Sequence, residues 1–287
     1  MLVDFHVHST ASDGTVEPGE LAKTACAQGY AAMALTDHDN CDGVPEFLSA
    51  PAEGNTLRVA GIELSIEPGE GFDKFHLLGL GVDFRDAGLK RLLAKVLEGR
   101  NARNRRILQN FEDIGIAIPP GEIARYAHGE VLARPHFARW LVDHGYSADV
   151  KESFERYLAS DSPKATRCYE KRWRPSQEEA FKAVHGAGGL CVMAHPRYWC
   201  DVWKNAGCDF DAAAREFPRL KEKGLDAVEA LYQANTVEEN IVFSRLADEA
   251  GLLKSAGSDF HGSTKKNVTM GMEAQESFIA PLLEALR

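Results

Sequence analysis

The sequence has 287 residues, 44% of them hydrophobic, and a formal net charge of −10, which is enough chain for one large α/β domain or two smaller ones with a sizeable core. That charge argues against a general nucleic-acid binder, whose grip on phosphate backbones comes from clustered Lys and Arg, and no apolar run approaches the roughly 18 residues of a membrane helix. Six cysteines, Cys26, Cys41, Cys168, Cys191, Cys200 and Cys208, lack CxxC spacing, so neither a disulfide framework nor a thiolate zinc site is indicated and we expect a cytoplasmic protein without a signal peptide.

Met1 to His8 reads as a strand ending in two histidines. Simple alternation puts Leu2, Asp4, His6 and His8 on one face and Val3, Phe5 and Val7 on the other. A polar turn, Ser9 to Gly14, precedes a helix over 18–28, where Leu21, Ala22, Ala25 and Cys26 have helical spacing and Gly29 closes the element. A buried strand over 31–35 runs into Thr36-Asp37-His38-Asp39. The third strand, about 58–66, carries Glu63, and the fourth, 75–82, has His76 at its start.

Later strands over 189–194, 226–231 and 253–258 lead into His195-Pro196, carry Glu229, and lead into Asp259-Phe260-His261 respectively. Seven strands, mostly alternating with helices, predict a parallel sheet closed into a barrel, with its active site at the C-terminal strand ends. Between the fourth and fifth strands the chain is helical in periodicity. We read 101–165 as a small helical insertion covering the active site, and 1–100 with 166–287 as the barrel. Two basic stretches, Arg100 to Arg106 and Lys164 to Arg174, read as a solvated helix face and a basic loop, in which one or two cations are available to an anionic ligand.

Singly, histidines and carboxylates at strand ends mean little, and a lone His76 reads as a satisfied surface or core residue. As a set they point elsewhere. His6-x-His8 and Asp259-x-His261 each place two ligand-type side chains on one strand face, while Asp13, Asp37-His38, Glu63 and His195 follow or end strands, which indicates a polynuclear metal site.

His6-Val7-His8-Ser9, Ser12-Asp13-Gly14, Thr36-Asp37-His38-Asp39, Gly61-Ile62-Glu63, Ala194-His195-Pro196 and Gly257-Ser258-Asp259-Phe260-His261 together resemble the PHP (polymerase and histidinol phosphatase) family. The resemblance implies a distorted (β/α)7 barrel holding three divalent ions. By its pattern one ion takes His6, His8, Glu63 and Asp259. Glu63 bridges to a second, with His76 and His195, and the third takes Asp13, His38 and His261. Mixed imidazole and carboxylate ligation suits manganese, iron or zinc better than magnesium, and manganese is the family-like expectation. Ala133-Arg134-Pro135-His136-Phe137-Ala138 also resembles an element of the family branch that includes nucleoside 3′,5′-bisphosphate phosphatases and 5′-to-3′ exoribonucleases.

The implied reaction is attack of metal-bound hydroxide on a phosphate ester. Outside the metals, the dianion needs cations, for which Arg134, Lys164 and Arg197 are candidates, with His136 as a phosphate ligand or proton donor. Asp37, Asp39 and Glu229 are expected to orient the histidines, and Tyr169, Trp173, Tyr198 and Trp199 are available to stack on a base. The expected substrate is a nucleoside 3′,5′-bisphosphate, losing its 3′-phosphate, with 5′-to-3′ trimming of short RNA as a related activity. No membrane or duplex nucleic-acid partner is implied. The competing readings are a histidinol-phosphate-type monoesterase, metal-dependent amide hydrolysis, and a non-catalytic metal-binding scaffold.

Overall fold

The computed structural model describes every residue except 52, 70–74, 120, 127–131 and 201–207, together with the side chain of Cys200. The chain divides into two compact units, Met1–Leu93 with Pro175–Arg287, and Ala94–Arg174. The second is wider than the 101–165 expected, because one continuous helix, Ala87–Asp113, carries the chain from the first unit into it. Among the described residues no helix is long and apolar enough to cross a membrane.

The first unit is a sheet of strands β1 (Leu2–Val7), β2 (Ala32–Leu35), β3 (Leu57–Ile66), β4 (Phe75–Leu80), β5 (Leu190–Met193), β6 (Ala227–Tyr232), β7 (Leu253–Gly257) and β8 (Met272–Glu273), in the order β7-β6-β5-β4-β3-β2-β1-β8. The loop after β7 closes it into a barrel. The His8 N–H donates to Phe260 O at 2.9 Å and the Asp259 N–H to His6 O at 2.9 Å, beside a parallel bridge between Val7 and Phe260. Its helices are α1 (Pro18–Ala27), α2 (Val44–Ser49), the start of α3 (Ala87–Asp113), and, beyond the second unit's α4 (Arg134–Asp143) and α5 (Val150–Ser153), α6 (Gln177–Gly186), α7 (Pro196–Cys200), α8 (Phe210–Glu222), α9 (Val237–Ala250) and α10 (Glu276–Ala285).

Local chemistry fixes these boundaries. Pro18 opens α1 and Gly29, at φ 72°, follows its end. Ser176 with Glu179, and Thr236 with Glu239, form reciprocal capping boxes at α6 and α9. All the strand pairings between β1 and β3 and between β5 and β7 are parallel, but β4 runs antiparallel to both its neighbours. No helix separates β3 from β4 among the described residues, so the return is a hairpin and not a crossover. Reversal matters for His76. It stands at the start of β4, paired with Ser65 near the end of β3, and so lies at the same barrel end as the C-termini of the parallel strands.

The first strand departs from simple alternation. Its register on β2 slips between Asp4 and Val7, a β-bulge. Val3 and Phe5 therefore pack in the apolar cluster shared by the strands and α10, with Ala34, Val192 and Ile279. Val7 instead joins the cluster of strands and outer helices, with Leu35 and Phe47. The expectation that Val3, Phe5 and Val7 share a face is thus corrected: the extra residue turns the chain over just before the two histidines.

The second unit packs around Ile107, Phe111, Phe137, Trp140, Leu141 and Tyr157, all 4% exposed or less. Phe111 and Phe137 stack at a centroid separation of 6.5 Å. A single π-helical turn, Phe154–Leu158, follows α5.

Candidate metal centre

All nine expected ligands meet at one end of the barrel. They form three groups, in each of which the donor atoms lie within 4.8 Å of one another: His6, His8, Glu63 and Asp259; Glu63, His76 and His195; and His8, Asp13, His38 and His261. This is the expected division, with His8 reaching the third group as well.

Glu63 is the hinge of the arrangement. Its Oε2 lies 3.3 Å from His6 Nε2, 3.2 Å from His8 Nε2 and 2.9 Å from His38 Nδ1. Its Oε1 lies 2.8 Å from His76 Nδ1 and 3.1 Å from His195 Nε2. One carboxylate thus serves two groups with separate oxygens. Asp259 Oδ1 faces His6 Nε2 at 3.6 Å and His8 Nε2 at 3.4 Å, and Asp13 Oδ1 faces His261 Nε2 at 3.2 Å.

The donors fit divalent ions. Buried without a hydrogen-bond partner are His6 Nε2, both ring nitrogens of His8, His38 Nδ1, Asp13 Oδ1 and Glu63 Oε2. Such atoms are costly to bury unspent, and here they converge. Protonation follows the same crowding. Burial opposes charge on His8, but Asp259 and Glu63 carry its pKa up to about 9. Burial likewise opposes charge on His6, while Glu229, Glu63 and Asp259 hold its pKa well above the usual imidazole range. Burial and the His8 imidazole push His261 down to about 4 against the pull of Asp13 and Asp259, and burial takes His76 to about 4 against the pull of Glu63. Glu63 itself, though buried, is held well below the usual carboxylate range by His38, His6 and His76. Metal ligation requires neutral imidazoles and ionised carboxylates. The downward shifts of His76, His261 and Glu63 favour that state, and the upward shifts of His6 and His8 oppose it.

A further layer of contacts aims these donors. Glu229 Oε1 accepts from His6 Nδ1 at 3.0 Å and its Oε2 accepts the His195 N–H at 2.6 Å, leaving His6 Nε2 for an ion. Gly257 makes room for this, since a Cβ there would stand 2.1 Å from Glu229 Oε1 and 2.5 Å from His6 Cβ. His261 Nδ1 lies 2.8 Å from the carbonyl oxygen of Asp259, which leaves its Nε2 toward Asp13. The role expected of Glu229 is therefore seen. Asp37 is different: it accepts from Ser9 N at 2.8 Å, Ser9 Oγ at 2.6 Å and Ser12 Oγ at 2.5 Å, and so braces the loop that brings in Asp13 instead of a histidine. Asp39 Oδ1 accepts the Ser65 N–H at 3.0 Å, holding two strand ends together.

Sequence reading passed over three contributors. Tyr232 Oη donates to Asp259 Oδ2 at 3.0 Å and Lys265 Nζ donates to the same oxygen. Asp4, fully buried, accepts from the N–H and Oγ of Ser258 and the N–H groups of Gly271 and His6, and burial pushes its carboxyl up to about 6. Tyr232 was detectable in principle, as the last residue of a strand. Lys265 lies in a loop and gives no such signal. Among the described residues, the non-glycine positions at positive φ are Asp39 (55°), His195 (30°) and Asp259 (59°). All three belong to this site, where tertiary contacts sustain a backbone that L-residues seldom adopt.

The candidate substrate residues are dispersed. In the barrel unit Arg197 donates to Ala234 O and lies 3.4 Å from Glu239 Oε2, the residue that caps α9. Tyr198 lies edge-on to His195, 5.3 Å between centroids, while Trp199 packs on Phe75 and Phe217 in the core. In the helical unit Arg134 donates to Leu158 O at 3.1 Å and lies 5.3 Å over Tyr169. His136 is 1% exposed, and its Nδ1 accepts the Ala133 N–H at 3.1 Å, capping α4. Lys164 is exposed. Trp173 carries Lys95 over its ring at 3.9 Å. Arg100 and Arg103, read as a solvated face, are 6% and 5% exposed, a correction taken up below.

Residues 4–114 match the family described as PHP domain. The 3′,5′-nucleoside bisphosphate phosphatase of Chromobacterium violaceum is 34% identical over 263 residues, covering 90% of this chain and 87% of that protein. The chain belongs to the PHP family. The 5′-3′ exoribonuclease Rnm of Salmonella typhimurium is 30% identical over 272 residues, 91% of this PHP chain and 85% of that protein. A solved Chromobacterium violaceum structure described as an amidohydrolase with bound sulfate and no metal superposes with a TM-score of 0.82 at 31% identity, covering 99% of this chain and 96% of that one. This PHP protein is a metal-dependent phosphoesterase.

Proposed function

We propose that this phosphoesterase removes the 3′-phosphate of nucleoside 3′,5′-bisphosphates, with three divalent ions, manganese foremost, held by His6, His8, Asp13, His38, Glu63, His76, His195, Asp259 and His261. The observation that carries the reading is Glu63, whose two oxygens serve separate histidine groups. A scaffold domain has no need to assemble and aim such a shared donor. Bound ions would supply an activated water and neutralise charge on the phosphoryl oxygens.

The chain's own residues do the positioning. Glu229 and the Asp259 carbonyl fix the tautomers and ring orientations of His6 and His261. Tyr232 and Lys265 occupy one oxygen of Asp259 and so direct the other toward the histidines. For the substrate's phosphates we assign Arg197 on the barrel unit and Arg134, His136 and Lys164 on the helical unit, where a guanidinium offers paired donors to phosphate oxygens. The kinship with a bisphosphate phosphatase supports this choice of substrate over a histidinol-phosphate-type monoester, and kinship with exoribonucleases supports trimming of short RNA from its 5′ end.

The test is phosphate release from adenosine 3′,5′-bisphosphate, 3′-AMP, 5′-AMP and histidinol phosphate with manganese present, alongside the metal content of the purified chain. Preference for the bisphosphate with three ions per chain is expected. Failure on every nucleotide sinks the reading, and equal rates on all four leave phosphatase chemistry without this substrate.

A further inference from the structure

Arg100 and Arg103 lie one turn apart on α3, and both are buried. Burial, then the charges of Arg100, Arg172 and Arg134, push the Arg103 guanidinium down to about 8, with Tyr169 pulling the other way. Arg134 is lowered by burial and by Arg174 and Arg100, again against Tyr169. A guanidinium keeps its proton in a protein, so Arg103 carries its charge out of water beside like charges, of which Arg100 and Arg172 have interactions of their own, and an anion at Arg103 would relieve the cost of burying it.

The geometry of Arg103 says where the anion would sit. Its Nε and Nη2 are buried without a hydrogen-bond partner, as is Arg174 Nε. Nε and Nη2 form one edge of the guanidinium fork, the edge that offers two parallel N–H groups to a pair of oxygens on one acid group. Arg134, held over Phe154 and Tyr169 at 5.6 and 5.3 Å, flanks that edge electrostatically while its Nη1 is spent on Leu158 O. Convergence of this many cations suits a dianion better than a singly charged group.

We propose that the helical unit is an oxyanion receptor, in which the open edge of Arg103, supported by Arg174 and Arg134, takes a dianionic phosphate: the terminal phosphate of a monoester or inorganic phosphate. A phosphodiester, with one charge and no terminal oxygens to spare, is the poorer ligand. The inference deepens the phosphate assignment made above, with which it shares Arg134, but its test uses neither metal nor turnover and so can fail or succeed separately from the phosphatase reading.

The experiment is calorimetric titration of the full chain, stripped of metal with a chelator, at low salt, with inorganic phosphate, 5′-AMP and the diester dinucleotide ApA, for wild type, Arg103→Gln and Arg174→Gln. Wild type is expected to bind one phosphate per chain, at least tenfold tighter than ApA, with at least a tenfold loss in Arg103→Gln and a smaller loss in Arg174→Gln. Tighter binding of 5′-AMP than of inorganic phosphate would support a nucleotide as the source, and equal binding would support free phosphate. Thermal melting supplies the second readout. Without phosphate, Arg103→Gln is expected to melt no lower than wild type, because the substitution removes a charge buried among like charges, and phosphate is expected to raise the melting temperature of wild type alone. No saturable binding in wild type, unchanged binding in Arg103→Gln (which would put the anion on the barrel's protonated histidines), or an Arg103→Gln chain that melts well below wild type without phosphate, would each overturn the proposal.

Discussion

In the barrel unit Glu63 stands among five imidazoles, those of His6, His8, His38, His76 and His195, with Asp259, Asp13 and Glu229 supplying further negative charge. In the helical unit Arg103 stands among other guanidinium groups. Each unit takes charge out of water, but the first does so with both signs and a web of hydrogen bonds. That mixture lets the barrel site exist before any ion arrives, with protons on His6 and His8 holding places for metal. In the arginine cluster the Nε and Nη2 of Arg103 are buried without a hydrogen-bond partner, and under the proposal above a bound anion supplies what they lack. The two buried charge sets thus differ in kind, one mixing both signs in a hydrogen-bonded web and the other leaving donor atoms of Arg103 unspent.

The comparison breaks first at Glu63. Glu63→Gln removes the shared charge and leaves one oxygen able to ligate, so metal content measured by elemental analysis should fall for two of the three groups and phosphate release should drop by more than about 100-fold. If Glu63→Gln keeps full metal and activity, the two-group role of this carboxylate is wrong. Glu229→Gln is expected to act less severely, lowering metal affinity by roughly 10 to 100-fold with the fold intact, since it loosens His6 without deleting a ligand. Competition with a fluorescent chelator measures that loss, and an unchanged affinity would reduce Glu229 to a packing residue.

A pH series sharpens the contrast. The folded-state pKa of His8, about 9, lies above its ordinary 6.5, so its contribution to the stability of the metal-free chain is fully present below pH 6.5 and is lost as pH rises through 9. Metal displaces that same proton. Apparent metal affinity should therefore climb over the same window and level off above it, while the melting temperature of the metal-free chain declines. Melting curves of chelated and loaded protein from pH 6 to 9.5 give both trends, and parallel curves would contradict the assignment. Lys265→Met should matter least. Its side chain is 38% exposed although Asp259 is buried, and ion pairs open to solvent contribute about 0 to 1 kcal/mol, so metal affinity should change less than about fivefold. A larger loss would promote Lys265 from a brace for Asp259 to a functional cation.

The candidate ligands were legible because chemistry at strand ends leaves a local mark: a histidine or carboxylate interrupting an apolar run at a predictable place. The barrel followed from strand count and alternation. What escaped was whatever depends on pairing instead of on the run itself. Nothing in Leu2 to Val7 announces the bulge that separates Val7 from Val3 and Phe5. The two-residue β8 is too short to show a period, and the reversed β4 is readable only once it is paired with β3 and β5. Arg100 and Arg103 looked solvated because an arginine on a helix normally is. Their burial is set by the tertiary packing of the second unit, which also brings Arg134, Arg172 and Arg174 into their electrostatic reach from elsewhere in the sequence. The edge of the second unit was blurred for a related reason: α3 passes through it without a break.

The closure of the barrel also sets an order in time. Ser258 bonds back to Asp4 across 254 residues of sequence, and Asp259 and His261 follow it immediately. On the ribosome, where chains are made from the N-terminus at roughly 5 to 20 residues per second, His6 and His8 are made well before Asp259 and His261, the carboxylate and imidazole that complete their groups. Until then each of the two groups that share His8 lacks one member, while Glu63, His76 and His195 have already been made. The two groups that share His8 are therefore completed only when the loop after β7 closes onto β1.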